Sequence, residues 1–244
     1  MQKKEEKMYS ALLVIIYLAF ISLGLPDTLL GSAWPQMHIE LNASLSSAGI
    51  ITMIISMGTV ISSLFSDRLN IKLGTGKVTA ISVLMTAVAL LGFSLSHSFI
   101  ILCVLAVPYG LGAGAVDAAL NNYVALHYSS KHMSWLHCFW GVGASIGPYI
   151  IGTCMAHGLG WRGGYSVISV LQFTLTAALF ITLPLWKKVE NSENNVINGN
   201  NERTQEEPRE RKAKSLSEVL HIKGVIYILF AFFCYSAVEQ TTTL

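Results

Sequence analysis

The sequence predicts an all-α polytopic membrane protein, a six-helix bundle built from two inverted three-helix repeats and followed by a partial seventh helix. Three observations predict it. Apolar runs as long as a bilayer's hydrocarbon core recur along the chain, Lys and Arg fall almost wholly into alternate loops, and two lone carboxylates take matching places in the two repeats. Only 12% of the residues are charged, where a soluble domain carries about a quarter.

Each span is read from an apolar run between charged or turn-rich breaks. Six result, near 9–33, 45–66, 77–96, 99–127, 135–157 and 163–186, and a seventh begins near Gly224. Among Asp, Glu, Lys and Arg, only Asp27 and Glu40 occur between Met8 and Ser66, only Asp117 between Val78 and Ser130, and only Arg162 between His132 and Trp186. A hydrocarbon core of about 30 Å requires such charge-free lengths. Lys3, Lys4 and Lys7 ahead of the first run, with Gly31-Ser32-Ala33 behind it, also fit a cleaved signal peptide. The run is long for that role, and Pro26-Asp27 near its end suits a functional span better.

Placing the N-terminus in the cytoplasm leaves one of the 16 Lys and Arg residues, Arg162, outside. Trp34, Trp135, Trp161 and Trp186 fall where interfacial anchors are expected, and Trp140 alone lies well inside a span. The expected location is the plasma membrane. Residues 1–186 form the six-helix half, 187–222 an Asn-, Glu-, Arg- and Lys-rich cytoplasmic linker, largely disordered for want of apolar surface, and 223–244 the start of a second half. The seventh span ends at Thr241-Thr242-Thr243-Leu244 and carries Glu239, whose partners are expected from helices beyond this chain. A missing C-terminal half is therefore an expected partner, beside the lipid bilayer.

Several classes are excluded by the same reading. A net charge of +2 spread over several loops does not suit nucleic acid. Cys103, Cys138, Cys154 and Cys234 sit in apolar segments at no metal-ligand spacing and read as packing residues. No HExxH, Ser-His pair or Cys-His cluster is available, so the chain is not expected to be an enzyme.

The chemistry-bearing residues are few. Asp27 and Asp117 lie equally far into spans predicted to start at 9 and 99, one running outward and the other inward, as inverted repeats require. Both follow helix-loosening residues, Gly24 and Pro26 for one, Gly112 and Gly114 for the other. A carboxylate at membrane depth is costly enough to be a functional candidate by default. Asn121 is one turn from Asp117 on the same face. His137 and Trp140, three apart, share a face, and His137 reads either as a packing residue or as part of a pathway. Gly110 and Gly114, with Ala118 beyond, form a small-residue stripe for close helix approach. Gly143, Gly147 and Pro148 in span five fit close packing with a bend; they also resemble the Gly-Pro motif in fifth helices of proton-coupled antiporters, without the paired glycines at its end.

The segment Ser63-Leu64-Phe65-Ser66-Asp67-Arg68-Leu69-Asn70-Ile71-Lys72-Leu73-Gly74-Thr75-Gly76-Lys77 resembles the signature of the major facilitator superfamily between helices two and three. Ser63 stands where that signature has Gly, and the later basic cluster is loosened. Asp67, Arg68, Lys72 and Gly74 would form a gating loop whose charges latch neighbouring helices. Leu25-Pro26-Asp27-Thr28-Leu29-Leu30, Gly110-Leu111-Gly112 leading to Asp117-Ala118-Ala119-Leu120-Asn121, and Leu136-His137-Cys138-Phe139-Trp140-Gly141-Val142-Gly143 resemble the fucose permease type of sugar:proton symporter. The resemblance implies a major facilitator six-helix bundle, alternating access, and proton coupling and sugar recognition on Asp27 and Asp117. Asp where relatives often carry Glu, and His137 where an amide is common, leave the sugar unidentified. It implies no cofactor beyond a proton gradient; the partners are protons and a small, sugar-like solute. Efflux by proton antiport and a non-transporting receptor of the same fold remain the competing readings.

Overall fold

In the computed structural model, residues 2–204, 218, 220–231 and 233–234 are described, with backbone alone for 2–7 and 190–204. The chain divides into two units, Met1–Val196 and Ile197–Leu244. The described residues contain helices and turns and no strand.

The elements are α1 (Gln2–Asp27), α2 (Leu29–Glu40), a 3-10 turn at Leu45–Ser47, α3 (Ala48–Leu73), α4 (Thr75–Leu95), α5 (Phe99–His127), α6 (Ser130–Ala156) and α7 (Gly160–Thr204). Among the described residues six stretches are long and apolar enough to cross a membrane: Met8–Glu40, Leu45–Leu73, Thr75–Leu95, Phe99–His127, Ser130–Ala156 and Gly160–Val189. They match the six predicted spans, with later or earlier ends where the helix continues past its apolar part. Span two runs through Asp67, Arg68 and Lys72 to Leu73, because apolarity marks lipid contact whereas a helix ends at a backbone break. Here the break is Gly74, whose φ of 81° is open to glycine.

Span one is two helices. Thr28 (φ −101°, ψ 2°) separates α1 from α2, and Pro26 just before it has no N–H to offer the carbonyl of Ser22. That carbonyl instead accepts a hydrogen bond from Gln172 Nε2 of α7. Pro148 in α6 frees the carbonyl of Ala144 in the same way, and Thr28 Oγ1 donates to it at 2.8 Å. Both orphaned acceptors are thus met by side chains of neighbouring helices, as a water-free bilayer core demands.

The inverted repeat is visible in the packing. Exchanging spans one with four and two with five turns the α1–α6 contact into the α5–α3 contact, and both are glycine-mediated. A Cβ at Gly24 would strike the Trp140 carbonyl, one at Gly143 the Ile21 carbonyl and one at Gly147 the Leu25 carbonyl. On the other side, a Cβ at Gly110 would strike Ile55 and one at Gly114 Thr59. Dispersion between such close backbones holds helices together where lipid removes the hydrophobic drive.

Three predictions need correction. Trp34, Trp161 and Trp186 are buried in the bundle, not laid against an interface. Trp34 Nε1 donates to the Leu45 carbonyl at 2.7 Å and Trp161 Nε1 to Glu40 Oε2 at 2.9 Å, so their polar handles find protein partners. Trp135 alone of the four is exposed. Cys154 is buried and Cys103 half-buried, but Cys138 is exposed and does not pack in the core. Third, α7 continues to Thr204, so the opening part of the stretch expected to be disordered is helical. A helix already nucleated in the bundle extends at little cost. Residues 205–217 and 219 of the linker, and Glu239 with most of the final residues, lie outside the described residues. In the second unit, residues 225–231 are helical.

Candidate functional site

Asp27 is the last residue of α1, at the break that Thr28 makes. Its two carboxylate oxygens accept from different helices: Tyr109 Oη of α5 donates to Oδ1 at 3.1 Å, and Trp140 Nε1 of α6 donates to Oδ2 at 2.8 Å. Trp140 is therefore held by its indole N–H, with Gly24 allowing its backbone to approach α1. Tyr109 is buried, with its ring 6.4 Å from Phe93.

Asp117 sits on α5, where Asn121 Nδ2 donates to its Oδ1 at 2.9 Å. The other amide atom, Asn121 Oδ1, is buried without a hydrogen-bond partner. His137 of α6 is close enough to Asp117 to interact with it electrostatically, and its ring meets Phe20 edge-on at 6.2 Å. The five residues singled out in the sequence thus form two groups, Asp27 with Trp140 and Asp117 with Asn121 and His137. His137 and Trp140 link them, about 4.5 Å apart in rise along α6. Asp27, Asp117 and His137 are exposed on this unit while apolar residues beside them are buried. An exposed face carrying two carboxylates, an amide, an imidazole and an indole can bind a hydroxylated molecule and hold a proton. Among the described residues no three His, Cys, Asp or Glu side chains gather as a metal site would need.

Asp67, Arg68 and Lys72 are exposed on the last turns of α3, and among the described residues no ion pair joins them. Arg68 lies 5.9 Å from the Phe65 ring centroid. Gly74 makes the turn into α4. Gly110 and Gly114 face α3, where Thr59 Oγ1 and Ser63 Oγ also reach their carbonyls at 3.3 Å. Gly143 and Gly147 seat α6 on α1, and Pro148, lacking an N–H, leaves the Ala144 carbonyl free to accept from Thr28.

Sequence reasoning missed Tyr109, Gln172 and Thr28. Each prolines's orphaned carbonyl, four residues upstream, was a usable signal for the last two; for Tyr109 the signal was only a hydroxyl in an apolar run. It also missed a cluster at the opposite end from the basic loops. Glu40 Oε2 pairs with Arg162 Nη1, Arg162 Nη2 donates to the Ser96 carbonyl at 3.0 Å, and the guanidinium lies 4.3 Å over the Trp161 ring.

Compared with known proteins, the chain matches the Major Facilitator Superfamily over residues 16–244. The Uncharacterized transporter y4wD of Sinorhizobium fredii is 25% identical over 116 residues, which are 46% of this chain and 31% of that protein. Synaptic vesicle glycoprotein 2B of Rattus norvegicus is 24% identical over 181 residues, 71% of this chain and 26% of that protein. Synaptic vesicle glycoprotein 2C of the same species is 24% identical over 168 residues, 67% of this chain and 23% of that protein. The chain spans under a third of the length of these curated relatives.

Proposed function

The chain belongs to the Major Facilitator Superfamily, and from that premise we propose that it is the N-terminal half of a proton-coupled symporter for a small, sugar-like solute. The observation that carries this reading is the convergence of Tyr109 and Trp140 on the two oxygens of Asp27 at a helix break. With both donors in place the carboxylate still has lone pairs for a solute hydroxyl, and the indole offers an apolar face to a sugar ring. Asp117, with Asn121 beside it, is the second carboxylate and the proton carrier in this scheme. Asp117 takes up the proton while the site is open to one side and gives it up when the site is open to the other.

Alternating access would come from rocking this half against a second one around the site. The basic loops orient the N-terminus to the cytoplasm of the plasma membrane. Export by antiport drew its support from Gly143, Gly147 and Pro148, and those residues already have a use in seating α6 on α1.

The test uses de-energised cells carrying the complete gene product. A sugar pulse should alkalinise the medium as solute and protons enter together. Acidification during solute entry into preloaded cells would establish antiport instead.

A further inference from the structure

We propose that the turn between α3 and α4 holds an anionic phospholipid, its headgroup between Lys77 and Lys187 and an acyl chain in the groove between the two helices. Although a single residue, Gly74, joins α3 to α4, each packs far more on α5 than on the other. The gap this leaves is a groove of about 360 Å³. Ile61, Phe65 and Leu73 of α3 form one wall, Ile81 of α4 the other, and Leu111 and Ala115 of α5 the floor. Ile61 and Leu73 are about 18 Å apart along the helix at its usual rise. That is close to the depth of one leaflet's hydrocarbon, about half of a 30 Å core.

At its basic end the groove meets a second, smaller cavity of about 60 Å³, and Leu73 lines both. The smaller one is bounded by Gly74, Gly76, Lys77, Trp186 and Lys187. It lies against the first turn of α4, whose leading N–H groups have no carbonyl within the helix and favour an anion. Lys77 and Lys187 are both exposed there. Gly76 lets the Trp186 ring lie directly on that turn, and the Trp186 indole N–H is buried without a hydrogen-bond partner. Arg68 over Phe65 places a further cation beside the groove wall. An apolar slot one leaflet deep, ending in a small cationic pocket at a helix N-terminus, fits one class of ligand: a lipid with a negatively charged headgroup.

The experiment is a lipid titration of the purified detergent-solubilised chain, followed by native mass spectrometry. Dioleoyl phosphatidylglycerol should be retained roughly tenfold more than dioleoyl phosphatidylcholine, as expected of two lysines near one phosphate. The Lys77→Gln, Lys187→Gln double variant should lose that preference and keep its affinity for phosphatidylcholine. Ile81→Trp, which fills the groove from a surface position, should weaken both lipids alike. A preference for phosphatidylglycerol that survives the lysine substitutions, or unchanged binding of both lipids to Ile81→Trp, would overturn the assignment.

Discussion

The Tyr109 hydroxyl donates a hydrogen bond to Asp27 Oδ1 at 3.1 Å across 82 positions of sequence. It ties α5 to the break between α1 and α2, and with Trp140 Nε1 on Oδ2 it fixes the carboxylate's plane. Asp27 is thereby presented in one orientation instead of sampling several.

Tyr109→Phe removes this donor and little else, because the ring still packs near Phe93 and Tyr165. A hydrogen bond to a charged group contributes about 1.5–3 kcal/mol. The complete transporter carrying Tyr109→Phe is therefore expected to lose about tenfold or more in solute affinity, with surface expression unchanged. Uptake kinetics at equal membrane abundance measure it, and a parental KM would remove Tyr109 from the site.

Much of this was legible in the sequence, for physical reasons that differ by residue. The spans were readable because lipid forbids charge over a fixed length, and Asp27 and Asp117 because they break that rule. The Asp117–Asn121 contact followed from helical spacing alone. The break at Thr28 was readable only in part: Pro26 signalled a loosened helix, but the Thr28 hydroxyl is bonded to a carbonyl 116 residues away. Glu40 and Arg162 each read as a lone charge because their pairing depends on how α2 and α7 end up side by side. Trp161 looked like an interfacial anchor for the same reason: composition shows that an indole lies near a span end, not which way it faces.

The glycine contacts predict an asymmetric mutational pattern along α6. Gly143→Ala forces a Cβ into the Ile21 carbonyl, whereas a Cβ at Gly141 or Gly152 meets nothing within 4 Å. Overpacking of this kind costs about 1–3 kcal/mol. Thermal melting of the detergent-solubilised protein should fall for Gly143→Ala and not for Gly141→Ala or Gly152→Ala. Equal melting of the three would show that α6 does not sit this close to α1.

Glu40 and Arg162 give a test of the cluster that joins the ends of α2 and α4 to the start of α7. Both side chains are about a third exposed, Arg162 31% and Glu40 35%, so their coupling should be modest, on the order of 1 kcal/mol. Arg162→Met should be the more damaging substitution, since it also strips the Ser96 carbonyl of its donor and the Trp161 ring of its cation. A double-mutant cycle with Glu40→Gln reads the coupling from melting temperatures. Strict additivity would mean the two side chains are not joined in the membrane.

The distribution of Lys and Arg predicts the topology. Reporters fused after Lys131 or near Asn200 should be cytoplasmic, and those fused near Glu40 or His97 external. Protease cleavage of the 187–222 segment from outside sealed cells would reverse that orientation.

Asp117 provides the sharpest test of coupling. It is the lone acid of its span, takes a hydrogen bond from Asn121 at 2.9 Å and lies within electrostatic reach of His137. Asn in its place keeps the shape and can still accept from Asn121, but it cannot take up a proton. Insertion should therefore be unharmed, because removing a charge from membrane depth is favourable. In the complete transporter, Asp117→Asn should abolish accumulation against a gradient while equilibrium exchange of labelled solute continues. Asp27→Asn should instead weaken exchange as well, since it alters the acceptor shared by Tyr109 and Trp140. Asn121→Ala, which removes one donor to Asp117 and leaves the carboxyl, should retain coupling at a reduced rate. If Asp117→Asn still concentrates solute at the parental rate, the proton travels by another group, and His137 is the next to substitute.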